Sequence, residues 1–200
     1  MDAVHLSSIP VPLRWDVPPL DWQVIGDKAL RLTAGSMTNL FCSPQGNFVG
    51  QNSPRLVFKP DGDFLLSAKV VVDFAGTFDA GVLLIWEHET SWAKLCFEFS
   101  PQRQPMIVSV VTRGLSDDCN SVPINGNQVY LRIARLGRAF AFHYSADGRY
   151  WHFVRHFTLD NPDSVQIGFS AQAPRGDSCT ATFTEIAYAA RKLADLRNGE

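Results

Sequence analysis

The feature that most limits what this chain folds into is a succession of short runs rich in β-branched and aromatic residues, separated by residues typical of turns. The longest runs lie at residues 64–74, 78–87 and 92–99, and the turn dipeptide Asp147-Gly148 precedes another run at 150–157. Roughly eleven such runs occur, while the periodicity of amphipathic helices is nearly absent. Short strands spaced in this way predict an all-β sandwich or barrel.

Length and composition favour one domain with one core. A chain of 200 residues with 46% hydrophobic side chains fits a single large β-sandwich, and no linker-like stretch divides it. We therefore predict a single β-sandwich domain over residues 1–200. The segment 39–60 departs from the strand pattern, because Gly, Pro, Asn and Ser dominate it. A loop of that length within a compact domain is usually functional.

Charge and the N-terminal stretch argue against several classes of function. The net charge is −2, and lysine and arginine form no dense cluster, which disfavours nucleic-acid binding. Asp2, Pro10 and Pro12 stand where a secretory signal would have a basic start and an apolar run. No apolar run approaches the roughly 20 residues that cross a bilayer. We predict a cytoplasmic protein that binds neither membranes nor nucleic acid.

The cysteines predict a reduced protein rather than a disulfide framework. They are widely spaced and form no CxxC motif; the four are Cys42, Cys96, Cys119 and Cys179. Two disulfides are arithmetically available, but a chain without an export signal is expected to keep its thiols reduced.

Several runs in a fixed order resemble a known family. They are FDAGVLL (78–84), WAKLCFE (92–98), SVVT (109–112), SDD (116–118), LRIAR (131–135) and YSADGRYW (144–151). Together they resemble the domain-of-unknown-function family that includes the fungal regulation-of-enolase protein, over about residues 15–188. The resemblance implies a concanavalin A-like jelly roll, a β-sandwich of two antiparallel sheets, one of them curved. It implies no catalytic motif, and a fold alone does not fix a function.

The run at 92–99 supplies the leading candidate site. Successive side chains of a strand point to opposite faces, so two sets separate: Trp92, Lys94, Cys96 and Glu98 on one face, and Ala93, Leu95, Phe97 and Phe99 on the other. The second set is a core stripe, and the first is a polar row whose tryptophan we expect to be exposed. If its sheet is the curved one, the row lines the groove in which relatives with this fold bind saccharides. The alternative is a solvated face with a weak surface ion pair.

Further candidates are expected around this row. Asp117 and Asp118 belong to the acidic stretch 116–120, which we place at the rim of the groove; many family members carry a tryptophan where this chain has Asp118. Arg132 alternates with apolar neighbours, so it is predicted to face outward and to adjoin the row. The predicted ligand is a saccharide or another small polar molecule. The predicted ligand-binding residues are Trp92, Lys94, Glu98, Asp117, Asp118 and Arg132.

No metal or cofactor is predicted. Oxygen-rich loops such as 116–120 hold calcium in some proteins, but Asp and Asn side chains also simply stabilise turns. His152 and His156 would lie roughly 13 Å apart on a strand, which is too far to share a zinc ion.

Two other functions stay open at this stage. The first is a glycoside-active enzyme that uses Glu87, Glu89 or Glu98, since retaining glycosidases place two carboxyl groups about 5–5.5 Å apart. A polar hairpin turn explains Glu87 and Glu89 more simply, and no residue is assigned as catalytic. The second is a regulatory protein that contacts a metabolic enzyme, as the name of the fungal relative suggests. It predicts an apolar surface patch and a protein partner.

Overall fold

Two antiparallel sheets packed face to face form the fold. A computed structural model describes residues 3–200, and all regular secondary structure in that range consists of β-strands. The strands are β1 (Arg14–Val17), β2 (Asp21–Ile25), β3 (Ala29–Gly35), β4 (Leu40–Cys42), β5 (Val49–Gln51), β6 (Arg55–Phe58), β7 (Leu65–Asp73), β8 (Ala80–His88), β9 (Ser91–Phe99), β10 (Pro105–Arg113), β11 (Leu115–Pro123), β12 (Gln128–Leu136), β13 (Ala139–Ser145), β14 (His152–Phe157), β15 (Gln166–Gln172) and β16 (Ser178–Ala189).

Each of the two sheets contains seven strands. The first has the order β1-β6-β15-β8-β9-β10-β11, and the second has the order β14-β13-β12-β7-β16-β3-β2. β4 and β5 pair only with each other. The prediction of an all-β sandwich of two antiparallel sheets is confirmed. Within the described range, no helix is long and apolar enough to cross a membrane.

The core lies between the inner faces of the two sheets. On β9, Ala93, Leu95 and Phe97 are fully buried there, as the alternation predicts. They belong to one cluster with Ile133 of β12 and Phe142 of β13, in the second sheet. Burying a side chain such as Leu95 stabilises the fold by about 1.5–3 kcal/mol.

The segment predicted to be a long functional loop covers part of the outer face of the first sheet. It contains the β4–β5 hairpin and the short strand β6. Leu40 and Cys42 of β4 pack in a second apolar cluster with residues of β8, β9 and β10. The N–H of Cys42 also donates a hydrogen bond to the Ser116 hydroxyl on β11 at 2.9 Å. The hairpin therefore buries one part of this outer face.

Candidate functional site

A pocket of about 550 Å³ opens on the outer face of the first sheet, beside the β4–β5 hairpin. Strand residues form its floor, and loop residues form most of its walls. The floor includes Lys94, Glu98, Val110, Asp118 and Gln172, and the walls include Met37, Asn39, Phe41, Phe48, Phe78 and Arg175.

The strand register explains why these polar residues meet. Lys94 pairs with Val110 of β10, and Val110 pairs with Asp118 of β11, so the three lie in one row across the sheet. Glu98 pairs with Ala80 of β8, and Ala80 pairs with Gln172 of β15, which puts Glu98 and Gln172 in a parallel row. The prediction that Lys94 and Glu98 share the face opposite the core is confirmed, since both line the pocket.

Gln172 links the two charged residues on the floor. Its amide oxygen accepts a hydrogen bond from the Lys94 ammonium at 2.9 Å. Its amide nitrogen donates to the backbone oxygen of Phe78 at 3.0 Å and lies 3.3 Å from a carboxylate oxygen of Glu98. All three floor side chains are buried, Lys94 being only 2% exposed. Buried polar groups joined in this way hold fixed positions.

Burial makes the carboxyl groups of the pocket easier to protonate. Removal from water raises the pKa of Glu98 to about 7; Lys94 partly opposes this rise, and Asp118 adds to it. Burial likewise raises the pKa of Asp118, against the lowering effect of Lys94 and of a hydrogen bond from the Cys119 N–H. A carboxyl group with a pKa of about 7 is protonated in about half of the molecules at neutral pH. Glu98 can therefore donate or accept a hydrogen bond.

A tight turn fixes the wall beside Gln172. One carboxylate oxygen of Asp79 accepts hydrogen bonds from the N–H groups of Ala75 and Gly76, at 2.9 and 2.7 Å. Phe78 adopts a φ of +70°, a region that non-glycine residues rarely occupy. The turn thereby presents the Phe78 carbonyl to Gln172 and places the Phe78 ring at the pocket.

The segment 39–60 supplies aromatic side chains to the opposite wall. Phe41 of β4 and Phe48, just before β5, both line the pocket. A Cβ at Gly50 would lie 2.9 Å from the Phe48 ring, so glycine at this position allows the ring to approach the strand closely. The prediction of one long loop over this segment is wrong, because β4, β5 and β6 form within it. Its contribution to a functional site stays a prediction.

The expectation that Trp92 is exposed is wrong. Its side chain is 0% exposed and packs with Leu40, Cys42 and Trp86 in the second apolar cluster. The β4–β5 hairpin covers this part of the sheet, and the sequence pattern of β9 carries no information about that cover. Trp92 is not among the pocket-lining residues.

Asp117 and Asp118 are separated although they are adjacent in sequence. Asp118 lines the pocket, whereas Asp117 pairs with Val111, whose side chain belongs to the inter-sheet core. A carboxylate oxygen of Asp117 forms an ion pair with the guanidinium group of Arg155 of β14, at 2.8 Å. The expected position of Asp117 in the groove is thus wrong, because alternation turns it toward the second sheet.

Arg132 also lies outside the pocket. It points away from the core, as predicted, but β12 belongs to the second sheet, so it cannot adjoin Lys94 and Glu98. Its guanidinium stacks 4.1 Å from the centre of the Trp151 ring. Burial, with a contribution from nearby Arg191, lowers the pKa of Arg132 to about 10.

Glu87 and Glu89 lie far from Glu98. The Glu87 carboxylate accepts hydrogen bonds from the Ser91 hydroxyl at 2.6 Å and the Asn161 N–H at 2.9 Å, which anchors the β8–β9 turn. Glu89 is exposed in that turn. Ser91 and Glu98 are seven positions apart on the extended strand β9, a distance of roughly 23 Å. The structure therefore does not combine these three carboxyl groups in one site.

Gln172 is the polar side chain of the pocket floor that the sequence predictions missed. A usable signal was present, because Gln166, Gly168, Ser170 and Gln172 alternate with an apolar stripe along β15. Within residues 3–200, no three His, Cys, Asp or Glu side chains gather as metal ligands, and all four cysteines are unpaired.

Comparisons with known proteins place the chain in a family and confirm the fold. The model of a family described as "Protein of unknown function (DUF1349)" matches residues 15–191. A functionally unknown protein from Saccharomyces cerevisiae is 21% identical, with a TM-score of 0.83, and the match covers 95% of this chain and 100% of that one. No curated protein matches significantly.

Carbohydrate-active enzymes occur among the more distant structural matches. A xylan β-1,4-xylosidase from Bacillus halodurans is 15% identical with a TM-score of 0.63; the match covers 80% of this chain but only 32% of that enzyme. An alginate lyase from Klebsiella pneumoniae is 13% identical with a TM-score of 0.52, over 84% of this chain and 83% of the lyase. At these identities the likeness establishes the fold alone.

Proposed function

We propose that this chain, which belongs to the DUF1349 family of proteins of unknown function, binds a saccharide in the pocket above Lys94, Glu98 and Gln172. One observation carries the proposal: a hydrogen-bonded set of buried polar side chains forms the floor of a pocket whose walls bear aromatic rings.

The pocket combines the two kinds of contact that a sugar needs. Apolar C–H faces of a sugar ring pack against aromatic side chains, here Phe41, Phe48 and Phe78. Hydroxyl groups require fixed donors and acceptors, and the amide of Gln172 with the charged groups of Lys94 and Glu98 supplies both. The volume of about 550 Å³ lies within the range of about 300–1,000 Å³ typical of small-molecule sites.

The family and fold give secondary support. The resemblance to concanavalin A-like jelly rolls implies a concave sheet face that binds saccharides in other proteins of this fold. Two structural matches carry names of enzymes acting on polysaccharides, xylan and alginate. Binding is therefore the leading proposal, and hydrolysis is a second candidate.

The binding proposal is tested with a panel of mono- and oligosaccharides, by isothermal titration calorimetry and ligand-observed NMR. We expect Phe48→Ala to weaken binding at least fivefold, because the ring lines the pocket. Tyr150→Ala removes another exposed aromatic ring outside the pocket and should leave binding unchanged. Absence of binding to any saccharide, or equal loss in both variants, would contradict the proposal.

A second candidate, glycoside hydrolysis, is favoured by the pKa of Glu98. A buried carboxylic acid with a pKa of about 7, in the same pocket as the second carboxyl group of Asp118, is suited to donate a proton to a leaving group. Release of nitrophenol from aryl glycosides tests this function. Under this second candidate function, the wild type releases nitrophenol, Glu98→Gln does not, and Glu89→Gln retains the activity. No release from the wild type would remove this candidate.

The regulatory role also stays a prediction. The resemblance to the fungal regulation-of-enolase protein suggests contact with a metabolic enzyme in the cytoplasm. Cell fractionation and pull-down against purified enolase test the location and the contact, respectively.

A further inference from the structure

In the described part of the chain, two buried arginines pair with carboxylates, whereas buried Lys94 does not. Arg55 pairs with Asp16 at 2.7 Å, and Arg135 forms an ion pair with Asp163. Lys94 has no carboxylate within 4.0 Å among the described residues, and its hydrogen bond goes to the neutral amide of Gln172. An ammonium group has three donors, so two remain unused at the pocket floor.

An unpaired ammonium at this depth favours an anionic ligand over a neutral one. The carboxyl groups of Glu98 and Asp118 act on Lys94 only from beyond ion-pair distance, so part of the desolvation cost of the buried ammonium is not offset by them. An ionised acceptor in direct contact offsets this cost better than a hydroxyl group does. Within residues 3–200, Arg132 has no acidic partner either, but it stacks on Trp151 outside the pocket. Lys94 instead lines the pocket, and Arg175 adds a second positive charge to its wall.

We propose that the ligand is an acidic saccharide of the uronic acid type, whose carboxylate pairs with Lys94 at the pocket floor. This inference rests on the proposed saccharide binding and narrows the class of sugar.

The carboxyl groups of the pocket make this binding depend on pH. The titratable groups that face Glu98 are Lys94 and Cys96 on its own strand, Asp118 on β11, and Arg175 in the wall. Burial raises the pKa of the Cys96 thiol, which stays neutral at pH 7. Protonation of Glu98 removes one negative charge and supplies an O–H donor. Binding of an anion should therefore take up a proton and strengthen as the pH falls from 8 to 6.

Matched pairs of sugars test the inference by calorimetry: glucuronic acid against glucose, galacturonic acid against galactose, and oligosaccharides of each. We expect the acidic member to bind at least tenfold more tightly at pH 6, with a smaller preference at pH 8. Lys94→Met should abolish the preference, whereas Lys69→Met, which removes a lysine from the second sheet, should keep it. Calorimetric titration of the wild type with the acidic sugar, repeated in buffers with different ionisation heats, should show that binding takes up about half a proton at pH 7.

The outcomes separate this inference from the proposed function. Equal or tighter binding of the neutral sugars, or no proton uptake, overturns the acidic ligand and leaves saccharide binding intact. No binding by either member of any pair overturns both. The measurement on the wild type remains decisive even if Lys94→Met fails to fold.

Discussion

Replacement of Glu98 by glutamine should make the protein more stable at alkaline pH. The unfolded chain holds this carboxyl group near its ordinary pKa of 4.5, whereas burial raises the pKa to about 7 in the folded state. Between these values the folded state binds more protons than the unfolded state, so the free energy of unfolding falls as the pH rises. Above about pH 8, one unit beyond the folded-state pKa, the cost of the buried carboxylate is almost fully present. Glutamine remains neutral and removes this cost.

The magnitude follows from the two pKa values. A rise from 4.5 to about 7 corresponds to about 3 kcal/mol, at 1.36 kcal/mol per pH unit. Most of it, about 2.5 kcal/mol, develops between pH 5 and pH 8. The side chain is only 8% exposed, so solvent screening reduces this figure little. Glutamine also keeps an acceptor for the Gln172 amide, which lies 3.3 Å from the carboxylate.

Urea denaturation at pH 5 and pH 8 measures the effect. The wild type should lose about 2.5 kcal/mol relative to Glu98→Gln between these two pH values. Glu89→Gln makes the same chemical change in an exposed turn, and should follow the wild type at both pH values. If the wild type and Glu98→Gln show the same pH dependence, Glu98 does not have the raised pKa on which its role rests.

Three further predictions concern packing and access. Phe97→Ala should lower the free energy of unfolding by about 3–5 kcal/mol in urea denaturation, because it leaves a cavity between the sheets. Gly168→Ala should prevent folding or greatly lower the melting temperature, since the new Cβ would lie 1.9 Å from the Leu56 carbonyl oxygen. Ser170→Ala, on the same strand, is the control, because it keeps the strand pairing. In the native protein, a thiol reagent should label Cys119 quickly and the three buried cysteines only after denaturant is added; rapid labelling of more than one thiol would contradict the burial of Cys42 and Cys96 in the second apolar cluster or of Cys179 in the core.

The candidate site was partly predictable, and the reason lies in the geometry of strands. Alternation along β9 separates Lys94 and Glu98 from the core residues Leu95 and Phe97, and this result needs only the local sequence. The same rule, applied to β11, would have separated Asp117 from Asp118. The alternation rule correctly identifies the side of the sheet to which each side chain points. It does not show which residues of other strands or loops lie beside that side chain.

The sequence by itself determined the all-β class and the face on which each strand residue lies, because turn residues and a two-residue repeat are local properties. Tertiary structure decided the rest. Strand order put Gln172 beside Glu98 and put Arg132 in the other sheet, and the β4–β5 hairpin buried Trp92. These outcomes depend on pairing and packing between segments that are distant in the sequence. The free energy of such contacts depends on the complementarity of whole surfaces, which no local repeat in the sequence encodes.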